Sequence, residues 1–228
     1  MITIVLLAGS FVRQNRWLLP AFAAWPFLLA AFFWSPHHHA DRRDVTDLLQ
    51  QEVFYGIGVT GFLASSALHN EERSRRIIGV LSKAVSRAQY LLGLLTGAGL
   101  FAIVYFIAVA ASTLWLLGDA EPIAKATLAI VLHGVSASLW MGSLALLFST
   151  FLHPLIAAAI AGAVGFVPFA FSHVNSVLAP IVSLYGASDL LAPHLAWRLM
   201  LIVLMETLMF LIVSARVFDR RDVTQNVE

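Results

Sequence analysis

The sequence predicts an all-α, polytopic membrane protein with six transmembrane helices. Of its 228 residues, 60% are hydrophobic and only 12% are charged, and the mean hydropathy is +0.84. A soluble domain of this length would be about half apolar and about a quarter charged, so the excess apolar surface has to face lipid. The net charge of +1 gives no indication of nucleic-acid binding, and the absence of cysteine excludes disulfides and thiol catalysis.

Six apolar segments approach or exceed the length of about 20 residues that a membrane-spanning helix needs. They are residues 17–34, 53–68, 89–117, 123–148, 154–171 and 197–217. Tryptophans fall at several of the predicted ends, as interfacial aromatic residues do. Residues 1–16 are expected to form a short amphipathic helix along the inner membrane surface.

The distribution of basic residues predicts the orientation of these segments. If both termini share one side, that side carries ten of the 14 lysines and arginines. Because basic residues concentrate on the cytoplasmic side, we expect both termini and residues 70–87 in the cytoplasm, and residues 35–52 outside the cell membrane. The ten are Arg13, Arg16, Arg73, Arg75, Arg76, Lys83, Arg87, Arg216, Arg220 and Arg221.

Small residues at helical spacing predict where helices pack closely. Gly93 and Gly97 form a GxxxG pair in the third segment, and Ala157, Ala161 and Gly165 continue the pattern in the fifth. Residues 174–195, by contrast, are too apolar for a free loop and too interrupted by proline and glycine for a span. We expect an external re-entrant hairpin there, because irregular backbone at that depth has to be shielded by protein or line a wet cavity.

Residues 70–87 (NEERSRRIIGVLSKAVSR) are the most densely charged interruption of the apolar chain. Asn70 is a suitable N-cap for a short amphipathic helix, with acidic residues in its first turn. Its polar side would carry Glu71, Glu72, Arg73 and Arg76, and its apolar side Ile77, Val80 and Leu81. Ser86 and Gln89 then form a capping box that begins the third span. Such a helix can rest on anionic lipid or dock a cytoplasmic partner.

This segment resembles the loop before the third span of type-2 ABC transporter permeases. The matching positions are Glu71, Glu72, Leu81, Ser82, Lys83, Val85, Ser86, Arg87, Gln89 and Tyr90. Ala84 stands where that pattern usually has proline, and residues 77–79 replace its Gly-Thr-rich turn. The chain's end, ARVFDRRDV, is similar to the family's closing motif. Six spans, internal termini and an external hairpin after the fifth span also agree with the family.

The resemblance implies that residues 70–87 contain a coupling helix that docks on a cytoplasmic ABC ATPase. The polar contacts would come from Glu71, Glu72, Arg73 and Arg76, and the packing contacts from Ile77, Val80 and Leu81. Lys83 and Arg87 could equally be lipid anchors. It also implies a second permease subunit, identical or paralogous, and export driven by ATP and magnesium bound in the ATPase subunit.

The chain contains no G-x-x-x-x-G-K-[ST] phosphate-binding loop, so the ATPase is expected to be a separate polypeptide. The resemblance implies that the chain itself is non-catalytic and has no cofactor of its own. Two alternatives stay open. One is an intramembrane enzyme that uses Glu206 and His133. The other is a non-transporting scaffold that recruits a cytoplasmic protein through residues 70–87.

Two groups of polar residues remain. His37, His38 and His39, near several aspartates, could bind a transition metal, although a solvated polar loop is the favoured interpretation. Glu206 lies inside the sixth span, where an ionisable group is costly, and could line a translocation path. His133, in the fourth span, is expected to make a hydrogen bond between helices.

Overall fold

The computed structural model describes residues 2–33, 42–73, 85–117, 123–166 and 197–220, which form seven helices and no strand. The helices are α1 (Ile2–Gln14), α2 (Leu18–Phe33), α3 (Arg42–Arg73), α4 (Arg87–Leu117), α5 (Ile123–Ser149), α6 (Pro154–Phe166) and α7 (Trp197–Arg220). The prediction of an all-α fold is therefore confirmed for the described residues.

Within these ranges, three helices are long and apolar enough to cross a membrane, namely α4, α5 and α7. They coincide with the predicted third, fourth and sixth spans, and they are consistent with a membrane protein. The helices α2 and α6 are apolar but have only 16 and 13 residues, and α3 is long but more polar. The hairpin predicted for residues 174–195 lies outside the described residues.

The helix α3 begins eleven residues before the predicted second span. Residues 42–52 were expected in an external loop, but they are helical. The cause is visible in the side chains, because Val45, Leu48 and Leu49 recur at helical spacing and are all buried. Val45 and Leu48 pack against Ala30 of α2 and Leu116 of α4. The apolar contacts thus extend the helix beyond its most hydrophobic part.

At its other end, α3 continues through Asn70 to Arg73. The expectation that Asn70 caps a separate helix is therefore wrong. No proline or glycine lies between Ser66 and Arg73 to end the helix, and glutamate and arginine are good helix formers. The polar residues at 70–73 consequently extend α3 itself.

The centre of the bundle is formed by α3, α4 and α5 around Phe106. A Cβ atom at Gly56 of α3 would lie 3.0 Å from the Phe106 ring, and one at Gly134 of α5 would clash with the same ring. Phe106 is completely buried. Further along, Gly61 of α3 faces Met141 of α5 in the same manner. Glycines therefore let the three helices approach closely on both sides of one aromatic ring.

The helices α1 and α2 pack on α4 and run in its direction. A Cβ atom at Gly93 would lie 2.7 Å from Leu7, and one at Gly97 would lie 2.6 Å from Phe11. The predicted close packing at the GxxxG pair is therefore confirmed. Further along α4, Phe22 of α2 makes edge-to-face contacts with the rings at 101 and 105. Residues 2–14 are helical as predicted, but they lie along α4 rather than across the end of the bundle.

The small-residue stripe of α6 is also buried as predicted. Ala157, Ala161 and Gly165 are covered, and α6 packs on α3 and α5. At its far end, the Phe166 ring lies edge-to-face against Phe54 of α3, with centroids 5.2 Å apart. The small side chains let α6 lie flat against the bundle, and the aromatic pair aligns it with α3.

We expect Gly97→Ala to lower the free energy of unfolding by about 1 to 2 kcal/mol, because the added methyl group would displace Phe11. The cost of displacing Phe11 would exceed the gain in helix propensity from glycine to alanine, which is about 1 kcal/mol. The matched control is Gly9→Ala, because a Cβ atom at Gly9 would meet nothing within 4 Å. Unfolding by SDS, followed by circular dichroism, measures both. Equal stability changes for the two variants would contradict the packing of α1 on α4.

Candidate functional site

The first turn of α4 is fixed by the predicted capping box. The Ser86 backbone N–H donates to Gln89 Oε1 at 3.3 Å, and the Gln89 N–H donates to Ser86 Oγ at 3.2 Å. Both side chains thereby satisfy backbone donors that have no partner within the helix. The end of residues 70–87 is consequently held in a defined position at the start of α4.

Arg87, the first residue of α4, binds the C-terminal turn of α7. Its Nη1 atom donates a hydrogen bond to the carbonyl oxygen of Phe218. Its Nε atom lies 3.8 Å from Oδ1 of Asp219, and the guanidinium carbon lies 5.1 Å from the centroid of the Phe218 ring. A cation is favoured here because the last carbonyl groups of a helix carry partial negative charge. We call this set of contacts the Arg87 clamp.

The Arg87 clamp joins the two sequence motifs on which the family resemblance depends. Arg87 ends the motif at residues 70–87, and Phe218 and Asp219 belong to the closing motif at 215–223. The sequence predicted Arg87 as a lipid anchor or part of the docking segment. It did not predict the clamp, because the donor and acceptor are 131 residues apart. The sequence feature that could have indicated this contact was an arginine and an aspartate at two predicted span ends on the same side of the membrane.

A pair of histidines lies where α3 and the turn between α5 and α6 meet. The His69 ring, in the last two turns of α3, lies 5.4 Å from the His153 ring, measured between centroids. His153 directly precedes α6, and its carbonyl oxygen accepts a hydrogen bond from the Ala157 N–H. The pair shows that the exit of α3 toward residues 70–87 is packed against the start of α6.

The predicted docking residues themselves are described only in part. Residues 71–73 form the last turn of α3, but their side chains are not among those described. The others, Arg76, Ile77, Val80 and Leu81, lie outside the described residues, as does Lys83. Both flanks of the segment are described, and each is packed into the bundle.

Glu206 of α7 accepts a hydrogen bond from the indole of Trp140 on α5. The distance from Trp140 Nε1 to Glu206 Oε2 is 2.6 Å. Trp140 is nearly fully buried, and its ring lies edge-to-face on Phe210, one turn after Glu206. Glu206 thus has a partner on a neighbouring helix, whereas Arg198 is exposed and two turns away. The predicted role of Glu206 in a translocation path stays a prediction.

The structure does not bring Glu206 and His133 together. His133 is buried in α5, seven residues before the tryptophan that binds Glu206, which is about 10 Å along a helix. Ser143, which follows that tryptophan, donates to the carbonyl oxygen of Trp140 in its own helix. This arrangement gives no support to an intramembrane enzyme built from these side chains.

The residues that the structure describes contain no candidate metal site. Among them, no group of three or more histidine, cysteine, aspartate or glutamate residues could hold an ion. The predicted external cluster of His37, His38 and His39 lies outside the described residues, so its metal binding stays a prediction.

Comparison with known proteins adds no assignment. A scan against protein-family models and a search of curated proteins found no match to this chain. The resemblance to type-2 ABC permeases therefore depends on the quoted motifs.

We expect Arg87→Ala to lower the free energy of unfolding by about 1 to 2 kcal/mol. A hydrogen bond to a charged group contributes about 1.5 to 3 kcal/mol, reduced here by partial exposure to solvent. The control is Arg216→Ala, because Arg216 is an exposed arginine on α7, two residues before Phe218. SDS titration of the purified protein measures the difference. A loss no larger than that of the control would exclude the clamp as a stabilising contact.

We expect the effects of Trp140→Phe and Glu206→Gln to be non-additive, because each substitution weakens the same hydrogen bond. A double-mutant cycle should give a coupling free energy of about 1 kcal/mol between the two side chains. The unfolding free energies of the two single variants and the double variant measure it. Strictly additive effects would mean that the indole and the carboxyl group do not interact in the membrane.

Proposed function

We propose that this chain is the membrane-spanning permease subunit of an ATP-driven ABC transporter, and that it acts in export. Two permease subunits, identical or paralogous, would enclose the translocation path and bind two cytoplasmic ATPase subunits. The chain would perform no covalent chemistry. Its task would be to convert closure of the ATPase subunits into movement of its membrane helices.

The Arg87 clamp is the observation that carries this proposal. A coupling segment can transmit movement only if both of its flanks are attached to the membrane helices. Before the segment, α3 packs along α4, α5 and α6. After it, the capping box and the Arg87 clamp attach the start of α4 to the end of α7. A force applied to residues 70–87 would therefore reach most of the bundle.

The surface of the bundle supports an arrangement of six spans. The helices α2, α3 and α6 expose large apolar side chains on their outer faces, including Trp25, Phe62 and Leu155. Hydroxyl groups on several helices donate to backbone carbonyls of their own helix, as Thr60, for example, does to Gly56 at 2.7 Å. Such local bonds satisfy polar groups where no water is available. We infer that α2, α3 and α6 cross the membrane together with α4, α5 and α7.

The orientation follows from charge. The clamp end of the bundle carries Arg87, Arg216 and Arg220 on described helices, and α3 exits there into the most basic segment of the chain. We infer that this end faces the cytoplasm. The exposed Asp44 and Asp47 of α3 lie at the opposite end and would face outward.

The decisive test is co-purification in mild detergent with a co-expressed ABC ATPase subunit from the same genome, followed by measurement of ATP turnover. Reversing the charges of Glu71, Glu72, Arg73 and Arg76 should reduce the amount of captured ATPase at least tenfold, because the docking contacts would become repulsive. The matched control reverses the charges of Asp44 and Asp47, at the other end of α3, and should leave capture unchanged.

Unchanged capture in the first variant would exclude residues 70–87 as the docking element. Failure of the unmodified chain to capture the ATPase would instead refute the transporter assignment. A chain that captures the ATPase without any effect on turnover would support a scaffold. The three outcomes are distinguishable in one set of preparations.

A further inference from the structure

Glu52 is buried in the bundle at a distance from both predicted docking and path residues. It lies on α3, one turn before Gly56, and only 1% of its surface is exposed. Its backbone carbonyl oxygen accepts a hydrogen bond from the Tyr105 hydroxyl of α4 at 2.8 Å. Tyr105 is 18 residues into α4, so Glu52 lies about 27 Å from the Arg87 clamp along the bundle.

Glu52 lies on a buried face of α3 whose adjacent side chains are apolar. Its neighbours in sequence, Leu49 and Val53, belong to a buried cluster that also contains Phe106 and Val109. No described residue forms a hydrogen bond with Oε1 of Glu52, and none forms an ion pair with its carboxyl group. The Tyr105 hydroxyl does not fill this role, because it donates to the backbone of Glu52.

Two charge states of this carboxyl group can be compared. An ionised carboxylate without a counter-ion or a full set of donors is far more costly to bury than a neutral acid, and buried carboxyl groups usually take up a proton instead. A neutral acid needs fewer partners, because only its hydroxyl group has to donate. The packed surroundings of Glu52 therefore fit the acid and do not fit the carboxylate.

We propose that Glu52 is a proton-binding site, held as the neutral acid while α3 and α4 are packed together. Among the described residues, the titratable groups that the helices carry at this level of the bundle are phenols and an imidazole. Tyr105 faces it from α4, Tyr55 lies one turn along α3, and His133 of α5 is next to Gly134 in the Phe106 layer. None of these is a permanent cation that could stabilise the carboxylate.

The proton is linked to the contact between α3 and α4. Any movement that separates these helices admits water to Glu52 and favours release of its proton, and by linkage the bound proton favours the packed state. Gly56 controls this contact, because a Cβ atom there would lie 2.5 Å from Tyr105. Gly58, two residues further, has open space around it, since a Cβ atom there would meet nothing within 4 Å.

Infrared spectroscopy of the full chain at pH 7, in an alkyl maltoside detergent that has no ester carbonyl group, tests the proposal. A protonated carboxyl group has a carbonyl stretch separate from the carboxylate bands, and exposed acidic side chains are ionised at this pH. We expect this band in the wild-type protein, a clear loss of its intensity in Glu52→Gln, and no such loss from the Glu52 component in the matched variant Glu206→Gln. A wild-type spectrum without the band, or a band of equal intensity in the wild-type protein and Glu52→Gln, would overturn the proposal.

A second pair of variants tests the link to helix packing. Gly56→Ala should shift Tyr105, loosen the contact between α3 and α4, and reduce the protonated band by more than half at pH 7. Gly58→Ala should leave the band unchanged. Equal bands in both variants would overturn the link between the proton and the α3–α4 contact. Circular dichroism of each variant verifies that its helices are intact.

Discussion

The packing of Phe106 between two glycines determines how the rest of the bundle is arranged. Gly56 and Gly134 leave no room for side chains, so α3 and α5 approach the same ring from two sides. The neighbouring residue, Tyr105, is then placed to bind the backbone of Glu52. The main effect of these close contacts is positional. They set the axial register of the helices that lead into and out of residues 70–87.

In the described part of the bundle, the carboxyl groups of Glu206 and Glu52 have different surroundings. Glu206 is only partly covered and receives an indole N–H from Trp140, so it is joined to a second helix. Glu52 is completely covered, and the described residues give its Oε1 no donor. Most described hydroxyl groups of the interior donate to carbonyl groups of their own helix, as those of Thr60 and Ser143 do. An acid whose oxygen receives no hydrogen bond is therefore an exception. A buried polar group without a partner destabilises the fold unless a bound proton or a functional state compensates for it.

Features encoded by neighbouring residues could be predicted from the sequence. The capping box of Ser86 and Gln89, the glycine pair at 93 and 97, and the buried stripe of α6 all depend on spacing within one helix. The spacing of Val45, Leu48 and Leu49 also encodes the early start of α3 locally. Because residues 42–52 have low overall hydrophobicity, they were nevertheless predicted as a loop. As a result Glu52 was expected outside the membrane region, whereas it is buried.

Contacts between distant parts of the chain could not be predicted in this way. Neither the Arg87 clamp nor the bond of Trp140 to Glu206 follows from any local pattern, because each depends on which helices become neighbours. The sequence identified Glu206 as an unusual ionisable residue within a predicted span, and Glu206 does lie inside the apolar helix α7. Its partner could be found only after α5 and α7 had been placed side by side.

The attachment of α7 to the start of α4 connects the motif at residues 70–87 with the closing motif at residues 215–223. This helix has a broad exposed apolar face, with Leu201, Met205, Leu208 and Ile212 on its outside, and packs on α4 and α5 along its opposite face. Directional bonds also hold it at two levels, to Trp140 through Glu206 and to Arg87 near its end. Twelve residues separate Glu206 from Phe218, about 18 Å of helix. A helix held at two separated points moves as a rigid lever with whatever holds it. Displacement of the start of α4 would therefore be transmitted to α7, and through Glu206 back to the centre of the bundle, without any change in the helices themselves.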